Sequence, residues 1–150
     1  MAPSTDILIG DADAQHVLIR PLSRRQPGLF DYSEANWIEC EVEISAGLFH
    51  GTVRADIRSE EFQAFLDEAE GMIGTLEGAA SLTTMEGQLA VAIAIDGDER
   101  TRVTGEVSDA PTSGNRLRFA FEIERAQVPD IAQSLTYLLA AFPATGTVET

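Results

Sequence analysis

From Trp37 to Ile57 the chain alternates between apolar and polar positions. Ile38, Cys40, Val42 and Ile44 are separated by Glu39, Glu41 and Glu43. After a turn at Ala46-Gly47, Phe49, Gly51, Val53, Ala55 and Ile57 alternate with His50, Thr52, Arg54 and Asp56. A period of two puts one set on a buried face and the other in water, so this stretch predicts a hairpin of two strands. The period then changes. Ser59 offers an N-cap, and Glu60 and Glu61 suit the positive end of a helix dipole. Phe62, Phe65, Leu66, Ala69, Met72 and Ile73 fall on one face at about 100° per residue, predicting a helix over about 60–73. Gly71 and Gly74 weaken its end.

Four further period-two segments follow: Ala79 to Thr84, Gln88 to Asp96, Arg100 to Ser108 and Arg116 to Arg125. Asp96-Gly97 is a hairpin signal between the second and third. A last helix, about 129–142, opens near Pro129 and carries Ile131, Leu135, Leu138, Leu139 and Phe142 before Pro143 stops it. The first thirty residues read as an irregular N-terminal part. Short strands at Ile7–Ile9 and His16–Arg20 are joined by a turn at 11–14, and a loop rich in breakers runs from Pro21 to Gly28. Residues 144–150 read as a flexible tail. No internal repeat or linker is visible. The pattern predicts a single α+β domain over 1–150: a curved, mainly antiparallel sheet of six or more strands, with both helices packed on one face.

Charge changes the picture. Twenty-five acids against ten bases, every one of them arginine, give a net −15. Binding to nucleic acid or an anionic membrane rests on basic patches, so neither is expected as a partner. Residues 39–86 hold eleven acids and two arginines, a net −9. Glu39, Glu41 and Glu43 share a strand face, and Asp67, Glu68 and Glu70 lie on the first helix. Two readings stay open: a solvated face that keeps the chain soluble, or a docking face for a basic protein. Trp37 has the parity of the glutamates. It is either an interface anchor or a ring covered by the N-terminal segment. Tyr137 lies off the stripe of the last helix and reads as half-exposed.

Little else suggests chemistry. No phosphate-loop order is present, and no nucleophile signature marks a catalytic residue. A zinc site would need Cys40, His16 and His50 to converge. Cys40 lies on the apolar face of its strand and His50 on the polar face of its own, so no metal and no cofactor are expected. Asp96-Gly97-Asp98-Glu99 lacks the spacing of a calcium loop. The lone Cys40 has no internal disulfide partner. Met1 to Gly10 lacks the basic start and apolar run of a signal peptide, and the run Leu89–Ile95 is far short of the ~20 residues that span a membrane. A cytoplasmic, non-enzymatic protein is the expectation.

Several motifs occur in a familiar order: Asn36-Trp37-Ile38, Phe62-x-x-Phe65-Leu66, Leu82-Thr83-Thr84-Met85-Glu86-Gly87-Gln88-Leu89, Leu117-x-Phe119-x-Phe121-x-Ile123 and Leu138-Leu139-x-x-Phe142-Pro143. From Asp31 to Pro143 the chain resembles the WapI-type bacterial immunity family. That resemblance implies neutralisation of a secreted or contact-delivered toxin by binding, and it carries no catalytic residue. An acidic inhibitor suits a basic toxin domain. The alternative is a small-molecule binding or sensing domain with a pocket under the helices.

Overall fold

A computed structural model describes residues 4–24, 36–85, 87–95, 100–111 and 114–143. Four strands come first: β1 (Ile7–Gly10), β2 (His16–Arg24), β3 (Trp37–Ala46) and β4 (Phe49–Arg58). Helix α1 (Ser59–Thr75) follows. Four more strands, β5 (Ala79–Thr83), β6 (Leu89–Ile95), β7 (Arg100–Ser108) and β8 (Arg116–Glu124), precede helix α2 (Gln127–Ala141). The α+β class and the antiparallel order agree with the sequence pattern. The single curved sheet does not: the strands form two four-stranded sheets, β1-β2-β3-β4 and β5-β6-β7-β8.

Each sheet is therefore followed by one helix, and the chain is a topological repeat, ββββα–ββββα. Residue identities do not show it. Only the pairing reveals that α1 interrupts two like units. The helices cross over. The first packs on β5 of the second sheet, the second packs on β1 of the first, and the helices pack on each other. They are thus not both on one face of one sheet. Ser59 Oγ, at the start of α1, donates to the Phe142 carbonyl just past α2, 3.0 Å away. Met72 and Leu76 meet Val128 and Pro129 around one hollow at the opposite ends, so the helices run antiparallel.

The expected irregular N-terminal part is largely strand. β2 runs through Pro21 to Arg24, with a register shift between Pro21 and Ser23 that accommodates the proline. Residues 25–28 of the expected loop, the Asp96-Gly97 turn, Glu86 and residues 144–150 lie outside the described residues. The N-terminus of α1 also differs in detail. Arg58 is the N-cap, and its backbone N–H donates to Glu61 Oε1 at 2.9 Å. Ser59 is buried one position inside the helix.

One contiguous core joins both sheets and both helices. Ile38, Cys40, Val42 and Ile44 lie inward on β3, and Phe62, Phe65, Leu135 and Leu138 fill the space between helices and sheets. Phe119 and Phe121 stack with ring centroids 6.1 Å apart. Leu139, expected in the core, is only partly buried. Two glutamines stitch the units together. Gln88 Nε2 donates to the carbonyls of Arg54 on β4 (2.8 Å) and Ser108 on β7 (3.2 Å). Gln127 at the start of α2 accepts from the Gly10 N–H (3.0 Å) and donates to the Gly10 carbonyl (2.6 Å) at the end of β1.

Candidate partner-binding surface

Antiparallel pairing puts directly opposed residues on the same face of a sheet. On the outer face of the first sheet the register aligns Arg20, Glu41 and Arg54 in one row, Leu18, Glu43 and Thr52 in the next, and Glu39 opposite Asp56. The three glutamates are therefore neighbours, as the period-two pattern predicts. They are not bare. Arg20 reaches Glu41 at 3.0 Å and Glu43 at 3.8 Å, and Arg54 reaches Glu39 at 2.9 Å and Glu41 at 4.0 Å. His16 Nε2 lies 2.7 Å from Glu43 Oε2, and its Nδ1 faces the carbonyls of Asp11 and Ala14. Asp6 adds a fifth acid, 3.8 Å from Arg20. Among the described residues, Asp6, Glu39, Glu41 and Glu43 thus share Arg20, Arg54 and His16, and Asp56 adds a further carboxylate opposite Glu39.

Trp37 follows the parity of the glutamates but is only 8% exposed. The Arg58 guanidinium sits 5.7 Å from its ring centroid, a cation–π contact. The ring is a buried platform rather than an open anchor. Arg58 also lines a hollow of about 580 Å³ with Glu60, Glu61, Asp67 and Glu68, so the sheet face and the acidic side of α1 meet at this arginine. Glu68 Oε1 accepts from the Ser81 N–H at 3.0 Å and Asp67 from Gln63 at 2.9 Å, while Glu70 is exposed.

Cys40 is fully buried on the inner face, whereas His50 is exposed and His16 is held on the outer face by Glu43. The three do not converge. Among the described residues no group of three or more His, Cys, Asp or Glu could hold a metal. Burial pushes the Cys40 thiol well above its usual range, and the charges of Asp56 and Glu39 add to that. Tyr137 is half-exposed and its hydroxyl accepts from Gln133 Nε2 at 2.9 Å. No helix among the described residues is long and apolar enough to cross a membrane.

The sequence pattern misplaces one feature. Phe49 belongs by parity to the apolar face of β4, yet it is 67% exposed, and Leu48 beside it is 96% exposed. Ala46 pairs with Phe49, so the connection is Gly47-Leu48, one residue later than expected. Gly47 has φ +62, the positive value that the first position of such a two-residue connection demands. The hairpin projects past the core, and alternation alone does not report where a core ends. An open hollow of about 610 Å³ is lined by Met72, Leu76, Ile95, Ile123 and Val128 together with Arg100, Glu124 and Arg125.

Solved structures to which the chain is similar include trypanosoma bruciei MRP1/MRP2, at 12% identity over 94% of this chain and 86% of that one, with a TM-score of 0.49. A guideRNA-binding protein complex bound to a gRNA gives 12% identity, 93% and 91% coverage and 0.49. A CdiA-CT/CdiI toxin and immunity complex from Enterobacter cloacae gives 11%, 91% and 99%, and 0.43. No curated protein matches the chain. The model of the immunity protein WapI-like family matches residues 7–143. That span opens on the first residue of β1 and closes just past α2, taking in both ββββα units, and the chain belongs to this family.

Proposed function

We propose that the chain is an immunity protein that acts in the cytoplasm by binding a basic toxin domain, without catalysis of its own. The observation that carries this reading is membership of the WapI-like immunity family across both units. The net charge of −15 and the surplus of carboxylates around Glu39, Glu41 and Glu43 favour a basic partner. In this reading the glutamates steer the encounter. Asp67, Glu68 and Glu70 extend the field beyond Arg58, and Trp37 acts from below by holding that arginine. Charges at an interface rim act mostly on association rate and on its salt dependence.

The test is co-expression with a candidate toxin domain taken from a gene neighbouring that of this chain. The wild type is expected to restore growth. Changing Glu39, Glu41 and Glu43 together to Gln keeps hydrogen-bond acceptors for Arg20, Arg54 and His16 and removes only charge. This variant should fold, associate more slowly, lose much of the salt dependence and rescue poorly. Equal rescue at equal abundance would make the ladder a solvated face only.

A further inference from the structure

Edge strands expose unpaired backbone groups, and proteins usually shield them with charge, bulges or cover. β4 is the outer strand of the first sheet, and its first half, from Phe49 to Thr52, is exposed. The phase of its ladder follows from two bonds. Ser59 N–H donates to the Asn36 carbonyl at 2.9 Å, so 36 and 59 form a hydrogen-bonded pair. Counting back in register, 44/51 and 42/53 are such pairs, whereas 45/50 and 43/52 are not. The backbone groups of His50, Thr52 and Arg54 therefore point away from β3. Gln88 bears this out by donating to the Arg54 carbonyl from that side. His50 and Thr52 lack such cover among the described residues.

The two faces flanking this edge differ. On the inner side, beneath Gly51, a cavity of about 210 Å³ is lined by Ile44, Val53, Val107 and Leu117 together with the polar His50, Ser108, Asp109, Asn115 and Arg116. On the outer side, Thr52 adjoins Glu43 and Asp56 adjoins Glu39, while Arg54 stands between the edge and Glu41 and is paired to Glu39 and Glu41. At the tip, Leu48 and Phe49 offer exposed apolar surface, and large exposed apolar groups mark interaction sites. We propose that the edge of β4 is where the chain holds its protein partner, by accepting an extended partner strand that alternates apolar and basic side chains. Apolar side chains of that strand enter the cavity, a basic one reaches across Thr52 to Glu43, and His50 and Thr52 supply the backbone bonds. The charge argues against a second copy of this chain as the occupant, since two chains of −15 repel. The proposal rests on the immunity reading for the basic nature of the partner.

The probe is a nine-residue peptide alternating valine and arginine, set against one of the same composition with its valines grouped. The alternating peptide is expected to shift the amide resonances of Leu48 to Arg54 and to slow hydrogen exchange at His50 and Thr52. Thr52→Pro removes an outward N–H at a position where an edge tolerates proline. It and, independently, Phe49→Ser should each weaken binding by about thirtyfold or more, the scale of an interface hot spot. Equal binding of the two peptides, shifts centred on the hollow beside α1, or affinity unchanged in both variants would overturn the proposal. So would a wild-type dimer in sedimentation that Thr52→Pro dissolves, because the edge would then belong to a second copy. Growth rescue separates the two readings. If both variants rescue like the wild type, immunity stands and this edge is not the docking site. If the wild type itself fails to rescue, the immunity reading falls, and the peptide result alone judges the edge.

Discussion

A side chain at Gly105 would have nowhere to go. A Cβ there would stand 2.4 Å from Phe119 Cζ and 2.7 Å from the Ala90 carbonyl oxygen. The ring can turn, but the carbonyl belongs to the neighbouring strand and cannot. Gly105→Ala should therefore cost about 1–3 kcal/mol, the usual range for overpacking, read as a lower denaturant midpoint at unchanged slope. Cys40 is governed by burial in another way. Its thiol stays protonated in the folded chain far above the ordinary value of 9.0, whereas the unfolded chain ionises there. The folded pKa is the raised one, so this contribution is complete below pH 9 and is lost as pH climbs beyond it. Stability above pH 9 should fall by up to about 1.4 kcal/mol per pH unit from this group, and Cys40→Ala should flatten that slope in urea titrations at pH 8 to 10. Strand parity was enough to place Cys40 inside. The clash at Gly105 was not legible, because it involves Phe119 on the next strand.

At the scale of elements, periodicity located both helices and most strands to within a few residues. α1 begins at Ser59 rather than 60 and runs through both glycines to Thr75, because its apolar stripe packs on β5 and α2 and outweighs their low propensity. β2 is longer than expected because pairing with β3 carries it past Pro21. What joins elements is less local. Gln127 looks like an ordinary polar residue before a helix, yet it makes two bonds to the backbone of Gly10. Gln127→Ala leaves a donor and an acceptor unpaired at the β1–α2 junction. The expected cost is about 1–3 kcal/mol, with faster hydrogen exchange at the Gly10 amide than elsewhere in β1. Unchanged exchange at Gly10 would mean that β1 is held by its pairing with β2 alone.

For the whole molecule, charge is the dominant long-range term. Isolated surface pairs such as Arg100–Glu122 contribute little, while a net −15 repels itself through solvent. Screening should then stabilise the fold: the melting temperature is expected to rise between about 10 mM and 300 mM sodium chloride, where the Debye length shrinks from ~30 Å to under 10 Å. A fall would show that the arginine pairs outweigh the repulsion. The same surplus supports the choice of a basic protein as partner. The candidate surface was partly legible. The acidic ladder follows from alternation, but its arginine counter-charges come from β2 and β4, and the open β4 edge comes from the order of strands in the sheet.

Local order in this chain is a matter of period, and period is written residue by residue. Alternation sets which side of β3 is wet, a 3.6-residue stripe sets which side of α1 is dry, and the count of acids sets the sign of the field. None of these requires knowing what lies opposite. The division into two sheets, the crossing of each helix to the other unit, the burial of Trp37 beneath Arg58 and the exposure of Leu48 and Phe49 do require it. They depend on contacts between residues far apart in the chain, where the same apolar pattern suits one eight-stranded sheet or two four-stranded ones equally well. Packing chose between them, because two antiparallel helices laid across paired four-stranded units enclose one continuous core.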